Sequence, residues 1–264
     1  MRSKAVIFCA VCIFAICLAS CSARENAPEP ESKSETVSQT TKESTTAEDM
    51  DATFYEEETR KVYPGLSKGD PNEYPYEIAT YTTYYQTSDT GRETNLAAAA
   101  NAINYIVVPC DSVFSFNQTV GKRTVVGGYT SAKVIVNDEF VQGLGGGACQ
   151  VSSTLFECIL RTNTEIVERT NHSLPISYVP MGGDATVQWN ILDFKFKNTI
   201  GHDMLLKMVC GKGKLTCTAY AKENVNVGNI SVNIRQSGNK YILTRYANGK
   251  QNYKTVSVYR EAKK

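Results

Sequence analysis

Gly143-Leu144-Gly145-Gly146-Gly147-Ala148-Cys149-Gln150-Val151-Ser152-Ser153-Thr154-Leu155-Phe156 is the stretch on which the fold turns. Four glycines in five positions argue against a strand or a helix interior, because glycine loses the most backbone freedom on folding and has no side chain to pack. They predict a tight turn. Downstream, Val151, Leu155, Ile159 and Leu160 recur at helical spacing with no Gly or Pro before Pro175, so an amphipathic helix should follow. Cys149 then stands at or just before the first helical turn. Unpaired N–H groups and the positive end of the helix dipole converge there and favour a thiolate. The glycines let a substrate backbone approach, and Gly146 and Gly147 offer amides for an oxyanion-binding nest. A cysteine at such a position also serves as a small core residue or disulfide partner, so residue types alone leave both readings open. Cys158, on the apolar side of the same helix, reads as core.

Upstream of the turn, Val134-Ile135-Val136 and Phe140-Val141 flank Asn137-Asp138-Glu139 as a hairpin. Before it, Ile78 to Tyr85 reads as a strand from its β-branched and aromatic content. A helix capped by Thr94 or Asn95 should run through the alanines 97–100 to about Tyr105. Val107 to Asp111 reads as a turn and Val113 to Asn117 as a short strand. Downstream, Glu165–Arg169, Asp184–Trp189, Leu192–Phe196, Met204–Val209 and Leu215–Tyr220 read as strands. The tail from Ile230 to Tyr259 holds three alternating runs split by Ser237-Gly238-Asn239 and Asn248-Gly249. This pattern, without βαβ alternation, predicts an α+β fold: mixed or antiparallel sheets around a central helix, with a small C-terminal three-stranded β appendage.

The N-terminus reads as an export segment. A basic start, Met1-Arg2-Ser3-Lys4, precedes an apolar run from Ala5 to Ala19 that is short for a membrane span, and Leu18-Ala19-Ser20-Cys21 resembles a bacterial lipobox. The expectation is a signal peptide over residues 1–21, with Cys21 the lipidated N-terminus on the outer face of the bacterial cytoplasmic membrane. Residues 22–59 hold eleven acidic and three basic side chains, a net of −8, with few apolar ones. They read as a disordered acidic tether. From Arg60 onward, 23 basic residues face 16 acidic ones, a net of +7, which suits an anionic neighbourhood such as a cell wall. The organisation expected is therefore 1–21, 22–59, a principal domain over 60–224 and the appendage over 225–264.

Beyond Cys21 the cysteines are Cys110, Cys149, Cys158, Cys210 and Cys217, an odd number that leaves at least one thiol free. A hairpin turn centred on Gly213-Lys214 would set Cys210 opposite Cys217 and allow a bridge. A turn displaced by one residue would separate them.

Several motifs in order carry a family resemblance: Asn95; Phe114-Ser115-Phe116-Asn117 with Gly121 to Thr124; Gly128-Tyr129; Gly145 to Leu155; Glu168-Arg169 with His172-Ser173; Tyr178-Val179-Pro180; Gly183 to Val187; and Asp193 to Asn198. Together, over roughly residues 77–220, they resemble the VanW domain. The family takes its name from an accessory gene of vancomycin-resistance clusters, and its members include exported cysteine L,D-transpeptidases of peptidoglycan. One departure is Pro109-Cys110-Asp111, where relatives usually have Pro-Gly before an acidic residue. Cys110 is open to three readings: reactive thiol, disulfide partner or neutral replacement.

The resemblance implies acyl transfer on peptidoglycan stem peptides to form 3→3 cross-links, with Cys149 as nucleophile. The chain has two histidines, and His172, within a matched motif, is the better base than His202. Asp184 is the candidate for orienting the imidazole, with Asp193 behind it. Arg123 and Arg169 are candidates for binding stem carboxylates, since a guanidinium fork matches that shape, and Gln150 for an amide beside the oxyanion. No cofactor is called for. Two distant histidines without Cys-x-x-Cys spacing make a poor metal set, and the chain lacks a basic helix or motif for nucleic acid. Two other classes stay open: a cysteine hydrolase of the same stems, and a non-catalytic peptidoglycan-binding or scaffolding module in which Cys149 is structural.

Overall fold

The computed structural model describes residues 66–261; the signal segment, Cys21 and the tether over 22–59 lie outside the described residues. Among the described residues, three α-helices, one short 3-10 helix (Pro71–Glu73) and four antiparallel sheets make the α+β fold expected. The largest sheet has five strands in the order Ser67–Lys68, Ile106–Val108, Met204–Gly211, Lys214–Ala221 and Tyr76–Tyr84. Glu165–Glu168, Lys195–Lys197 and Val113–Ser115 form a second sheet, and Ser131–Val136 pairs with Glu139–Leu144 as a two-stranded hairpin. The C-terminal sheet orders Ile230–Ser237, Lys240–Ala247 and Lys250–Val258. Among the described residues no helix is long and apolar enough to cross a membrane.

The helices are α1 (Thr90–Ile103), α2 (Phe116–Val120) and α3 (Ala148–Ile159). Helix α1 starts earlier than expected, because Asp89 rather than Thr94 or Asn95 caps it and accepts the Arg92 N–H at 2.9 Å. Gly91 in its first turn is a packing necessity: a Cβ there would lie 2.5 Å from the Ser131 carbonyl oxygen. Phe116 and Asn117, expected to extend a strand, instead open α2, because the Ser115 side chain caps it by accepting from Gln118 N–H.

Helix α3 is central and, contrary to the amphipathic expectation, buried nearly all round: Cys149 alone of its residues reaches partial exposure. Its polar side chains are satisfied inside. Ser152 Oγ donates to the Ala185 carbonyl at 2.5 Å, Ser153 Oγ to the Cys149 carbonyl at 2.7 Å, and Thr154 shares a hydrogen bond with Thr83 at 2.8 Å. Phe156 packs edge-on against Phe194, and Phe114 stacks on Phe196, so α3 sits between the second sheet and the five-stranded one. Leu243 and Tyr253 join the C-terminal sheet to the same core.

The glycine turn differs from expectation at one end. Gly143 belongs to the strand Glu139–Leu144 and pairs with Ala132, and only Gly145 to Gly147 make the turn. Gly145 and Gly147 take φ values of +77° and +119°, where side chains are strained, and a Cβ on Gly146 would strike the Lys133 carbonyl oxygen at 2.6 Å.

Two expected strands are missing or shortened. Asp184 to Val187 runs without strand pairing because its backbone bonds elsewhere: the Ala185 N–H to Ser153 Oγ at 2.9 Å and the Thr186 N–H to the Thr170 carbonyl at 2.8 Å. From Leu192 to Phe196 only the end is strand, since Asp193 turns inward to accept from Ser115 Oγ and the Asn117 and Phe194 N–H groups.

The expected bridge between Cys210 and Cys217 is absent. The turn falls on Lys212 and Gly213, with φ of +53° and +74°, so Cys210 opposes Leu215 while Cys217 opposes Met208. All five described cysteines are free thiols.

Candidate active site

Cys149 enters the site because the left-handed Gly147 ends the turn as the N-terminal residue flanking α3, which places the thiol in the helix's first turn. Its Sγ lies 3.4 Å from the Val187 carbonyl oxygen, 3.5 Å from the Val187 N–H nitrogen and 3.6 Å from Thr186 Oγ1. The unpaired segment at Asp184–Val187 thus lines one side of the sulfur. His172, which follows the strand Glu165–Glu168, lines the same cleft as the thiol.

His172 is held by one carboxylate oxygen. Asp184 Oδ2 accepts from the His172 backbone N–H and from Nδ1, both at 2.6 Å, so ring and backbone are fixed together. Asp184 Oδ1 accepts from Arg169 at 3.1 Å and from the Tyr259 hydroxyl. Every oxygen lone pair of this fully buried carboxylate therefore has a donor, which is the condition for a charge to survive burial.

The electrostatics follow. Burial alone would raise the Cys149 thiol, but the hydrogen bond and positive charge of His172, with Val187 N–H and Thr186, outweigh it and hold the thiol down to about 7. Burial disfavours a charged imidazole too, yet Asp184 and the adjacent thiolate raise His172 to about 9. Asp184 itself would be raised by burial, but His172, Arg169 and Tyr259 hold it below its ordinary value. Near neutral pH the arrangement supports a thiolate beside an imidazolium, a set able to attack a carbonyl and then protonate a leaving group.

Cys149 and His172 line an open cleft of about 1970 Å³, with Asp184 buried behind them. Its walls are the hairpin around Val134 and Phe140, the segment from Thr170 to Tyr178, and Thr186 to Leu192 with Trp189. Arg92, Lys122, Arg123, Lys133 and Arg260 border it against Asp89 and Asp138, so its rim is basic. Among the described residues no group of three or more His, Cys, Asp or Glu side chains is placed to hold a metal ion.

Residues 91–220, which carry both the Cys149 helix and the His172–Asp184 pair, match the family described as VanW like protein. Over these residues the chain is a VanW-like domain. It is 42% identical over 151 residues to a Bacillus subtilis (strain 168) protein, described as uncharacterized protein YoaR, a match covering 57% of this chain and 50% of that one. It is 30% identical over 109 residues to the vancomycin B-type resistance protein VanW of Enterococcus faecalis (strain ATCC 700802 / V583), covering 39% of this chain and 40% of that protein. The chain thus spans half or less of each of these relatives. No solved structure matches it.

Within the VanW-like domain the other singled-out residues fall unevenly. Arg123 faces the cleft beside Cys149 while Asn117 Oδ1 and the Gly121 carbonyl anchor its Nη1, each at 2.9 Å. Burial lowers its pKa, an effect the Cys149 thiolate opposes. Arg169, expected to bind substrate, is instead buried against Asp184, with its Nε donating to the Asp184 carbonyl at 2.6 Å. Gln150 borders the cleft but its amide is engaged at both ends, by Arg92 at 2.7 Å and by Thr83 and the Tyr84 carbonyl at 3.0 Å each. Asp193 is committed to Ser115 and Asn117, and His202 lies against Glu223 at 3.6 Å. Cys110 sits apart, its N–H bonded to Asp203.

Three residues of the VanW-like site were not singled out from sequence for it. Tyr178 places its hydroxyl 3.4 Å from His172 Nε2, and Arg92 lies over its ring at 5.7 Å. Tyr259 reaches Asp184 from beyond the matched residues. Tyr178 stood in a quoted motif, Tyr178-Val179-Pro180, which was the available signal. Arg92 and Tyr259 had none, since their approach depends on helix start and sheet packing.

Proposed function

We propose that this VanW-like protein is a cysteine acyltransferase of the bacterial cell wall, an L,D-transpeptidase acting on peptidoglycan stem peptides, exported and anchored by lipid at Cys21. The observation that carries the reading is that Cys149, at a helix start, and His172, held from behind by the buried Asp184, line one cleft with a basic rim. Cleft size and charge suit an extended peptide that bears carboxylates, for which Arg123 supplies a guanidinium. The relative named for vancomycin resistance is consistent with a setting at the cell wall.

In this reading the Cys149 thiolate attacks the carbonyl of the third stem residue. The developing oxyanion meets the Cys149 N–H at the α3 N-terminus, because the Ala148 and Gln150 N–H groups are taken by the Gly145 and Gly147 carbonyls. As the tetrahedral centre collapses, the C–N bond to the terminal D-alanine breaks and His172 gives that amine its proton, leaving a thioester. An acceptor amine from a second stem then attacks the thioester. His172 takes the amine's proton, the C–S bond breaks, and the 3→3 amide forms with the thiolate restored. Asp184 keeps the imidazolium oriented throughout.

The test incubates the purified protein with a disaccharide tetrapeptide and follows products by mass spectrometry, wild type beside Cys149→Ala. A cross-linked dimer with release of D-alanine, absent from the variant, is the expected outcome. Release without dimer would reassign the site to hydrolysis. Binding without turnover would make the domain a wall-binding module.

A further inference from the structure

The C-terminal sheet lies outside the residues matched to the family, yet its last strand, Lys250–Val258, and the two residues after it grip the site at several points. The Tyr259 hydroxyl donates to Asp184 Oδ1 and accepts from the Gly182 N–H at 2.6 Å. Ser257 Oγ, fully buried, accepts from Arg169 Nη1 at 2.9 Å, and Arg169 is the other donor to Asp184 Oδ1. On either side of His172, Asn171 Nδ2 donates to the Val258 carbonyl at 2.9 Å and the Arg260 N–H donates to the Ser173 carbonyl at 2.7 Å.

We propose that Tyr259 is a positioning residue for the Cys149–His172–Asp184 set: it pins Asp184 Oδ1 so that Oδ2 stays on His172, which makes the C-terminal sheet a working part of the site. The inference rests on the reading of Cys149 as a nucleophile activated by His172. A carboxylate with donors on one oxygen only can swing about its Cα–Cβ and Cβ–Cγ bonds. Two donors on each oxygen remove that freedom. Without the hydroxyl, Asp184 keeps one donor on Oδ1 and Gly182 loses its acceptor, so the contact at Nδ1 loosens and the imidazolium beside Cys149 is less stabilised. The ionisable groups facing Asp184 are His172, Arg169, Tyr259 and, farther off, Glu157 and Tyr178. Those facing Cys149 are His172, Tyr178 and Arg123.

The experiment follows iodoacetamide modification of Cys149 in the full chain against pH, by mass spectrometry of its peptide, in wild type, Tyr259→Phe, His172→Gln, Asp184→Asn and the double variant Tyr259→Phe/Asp184→Asn. The midpoint of reactivity is expected to rise by about one pH unit in Tyr259→Phe, making the reaction at pH 7 about fivefold slower. The change should add nothing on the Asp184→Asn background, because it acts through that carboxylate. An unchanged midpoint in folded Tyr259→Phe, or full additivity with Asp184→Asn, overturns the role. If Tyr259→Phe does not fold, Ser257→Ala takes its place: a raised midpoint supports the strand's positioning function and an unmoved one overturns it. If His172→Gln leaves the midpoint at its wild-type value, the pairing of Cys149 with His172 fails and this proposal fails with it. A shift in His172→Gln without one in Tyr259→Phe removes only the role of Tyr259.

Discussion

Asn95, on α1, donates from Nδ2 to the Gly146 carbonyl at 2.8 Å, so the turn that presents Cys149 is held by a helix residue 51 positions earlier in the chain. The same amide group donates to the Thr130 carbonyl at 2.9 Å, and Asn95 Oδ1 accepts the Thr130 N–H at 2.8 Å. One buried side chain thereby joins α1, the hairpin and the glycine turn. Asn95→Ala leaves these groups without their partner, and each unsatisfied group costs about 1–3 kcal/mol. We expect a loss of at least about 2 kcal/mol in urea unfolding, together with reduced reactivity of Cys149 in the surviving native state.

Gly146→Ala tests the turn from the other side. The added Cβ meets backbone, the Lys133 carbonyl oxygen at 2.6 Å and the Ala132 carbonyl carbon at 2.7 Å, and backbone yields less readily than a flexible side chain. A destabilisation of about 1–3 kcal/mol is expected. Gly211→Ala, where a Cβ meets nothing within 4 Å, is the matched control and should fall within about 0.5 kcal/mol of wild type. Equal effects at the two positions would refute the packing argument.

The proposed reaction should have a bell-shaped pH dependence. The acid limb rises as the Cys149 thiol ionises around 7, and the alkaline limb falls as His172 loses its proton around 9 and can no longer protonate the leaving amine. Rates of D-alanine release measured from pH 5 to 11 give both limbs. A profile still climbing beyond pH 9 would exclude His172 as the general acid.

Asp184→Asn removes the counter-charge of two buried cations at once. Arg169 and Asp184 are both almost fully shielded, and breaking such a pair costs more than a surface ion pair, about 3 kcal/mol here. The sign with pH is also set. A carboxyl held below its ordinary value contributes stability above the unfolded pKa of ~3.9 and loses it as pH falls through that value toward the lower folded one. Wild type should therefore weaken below about pH 4, and Asp184→Asn should flatten that part of the curve. Thermal midpoints between pH 3 and 7 measure both effects.

The register of the Met204–Gly211 and Lys214–Ala221 strands predicts that Cys210 and Cys217 stay unbridged, because each faces a different partner across the ladder. Denatured without reductant, both should alkylate completely. In the native state Cys149 should react first, since burial raises the Cys217 thiol well above its ordinary value and raises Cys210 as well.

How much of this was legible beforehand depends on the range of the interaction involved. The glycine turn, the helix at Cys149, the hairpin around Asn137-Asp138 and the three C-terminal strands were readable because their signals are local: backbone freedom, periodicity and turn chemistry acting within a few residues. The early start of α1 at Asp89 was readable in principle from a capping aspartate, but the alanine run drew the boundary toward the stronger propensity. The unpaired course of Asp184–Val187 was not, since its β-branched residues favour a strand while its hydrogen bonds go to Ser153 and Thr170, which only packing brings near. The absent bridge turned on a one-residue register that residue types leave free.

The sequence by itself determined most of the elements and the residue types available for chemistry: a thiol at a helix start, two histidines, and a basic stretch of chain after an acidic one. The tertiary structure decided which of these meet. His172 rather than His202 lines the cleft with Cys149, Asp184 rather than Asp193 holds the imidazole, Arg169 serves Asp184 inside the fold, and Tyr259 arrives from the last sheet. The reason is physical: a buried carboxylate must gather enough donors to remain charged, and those donors come from whichever elements the core packs around it, whatever their distance along the chain.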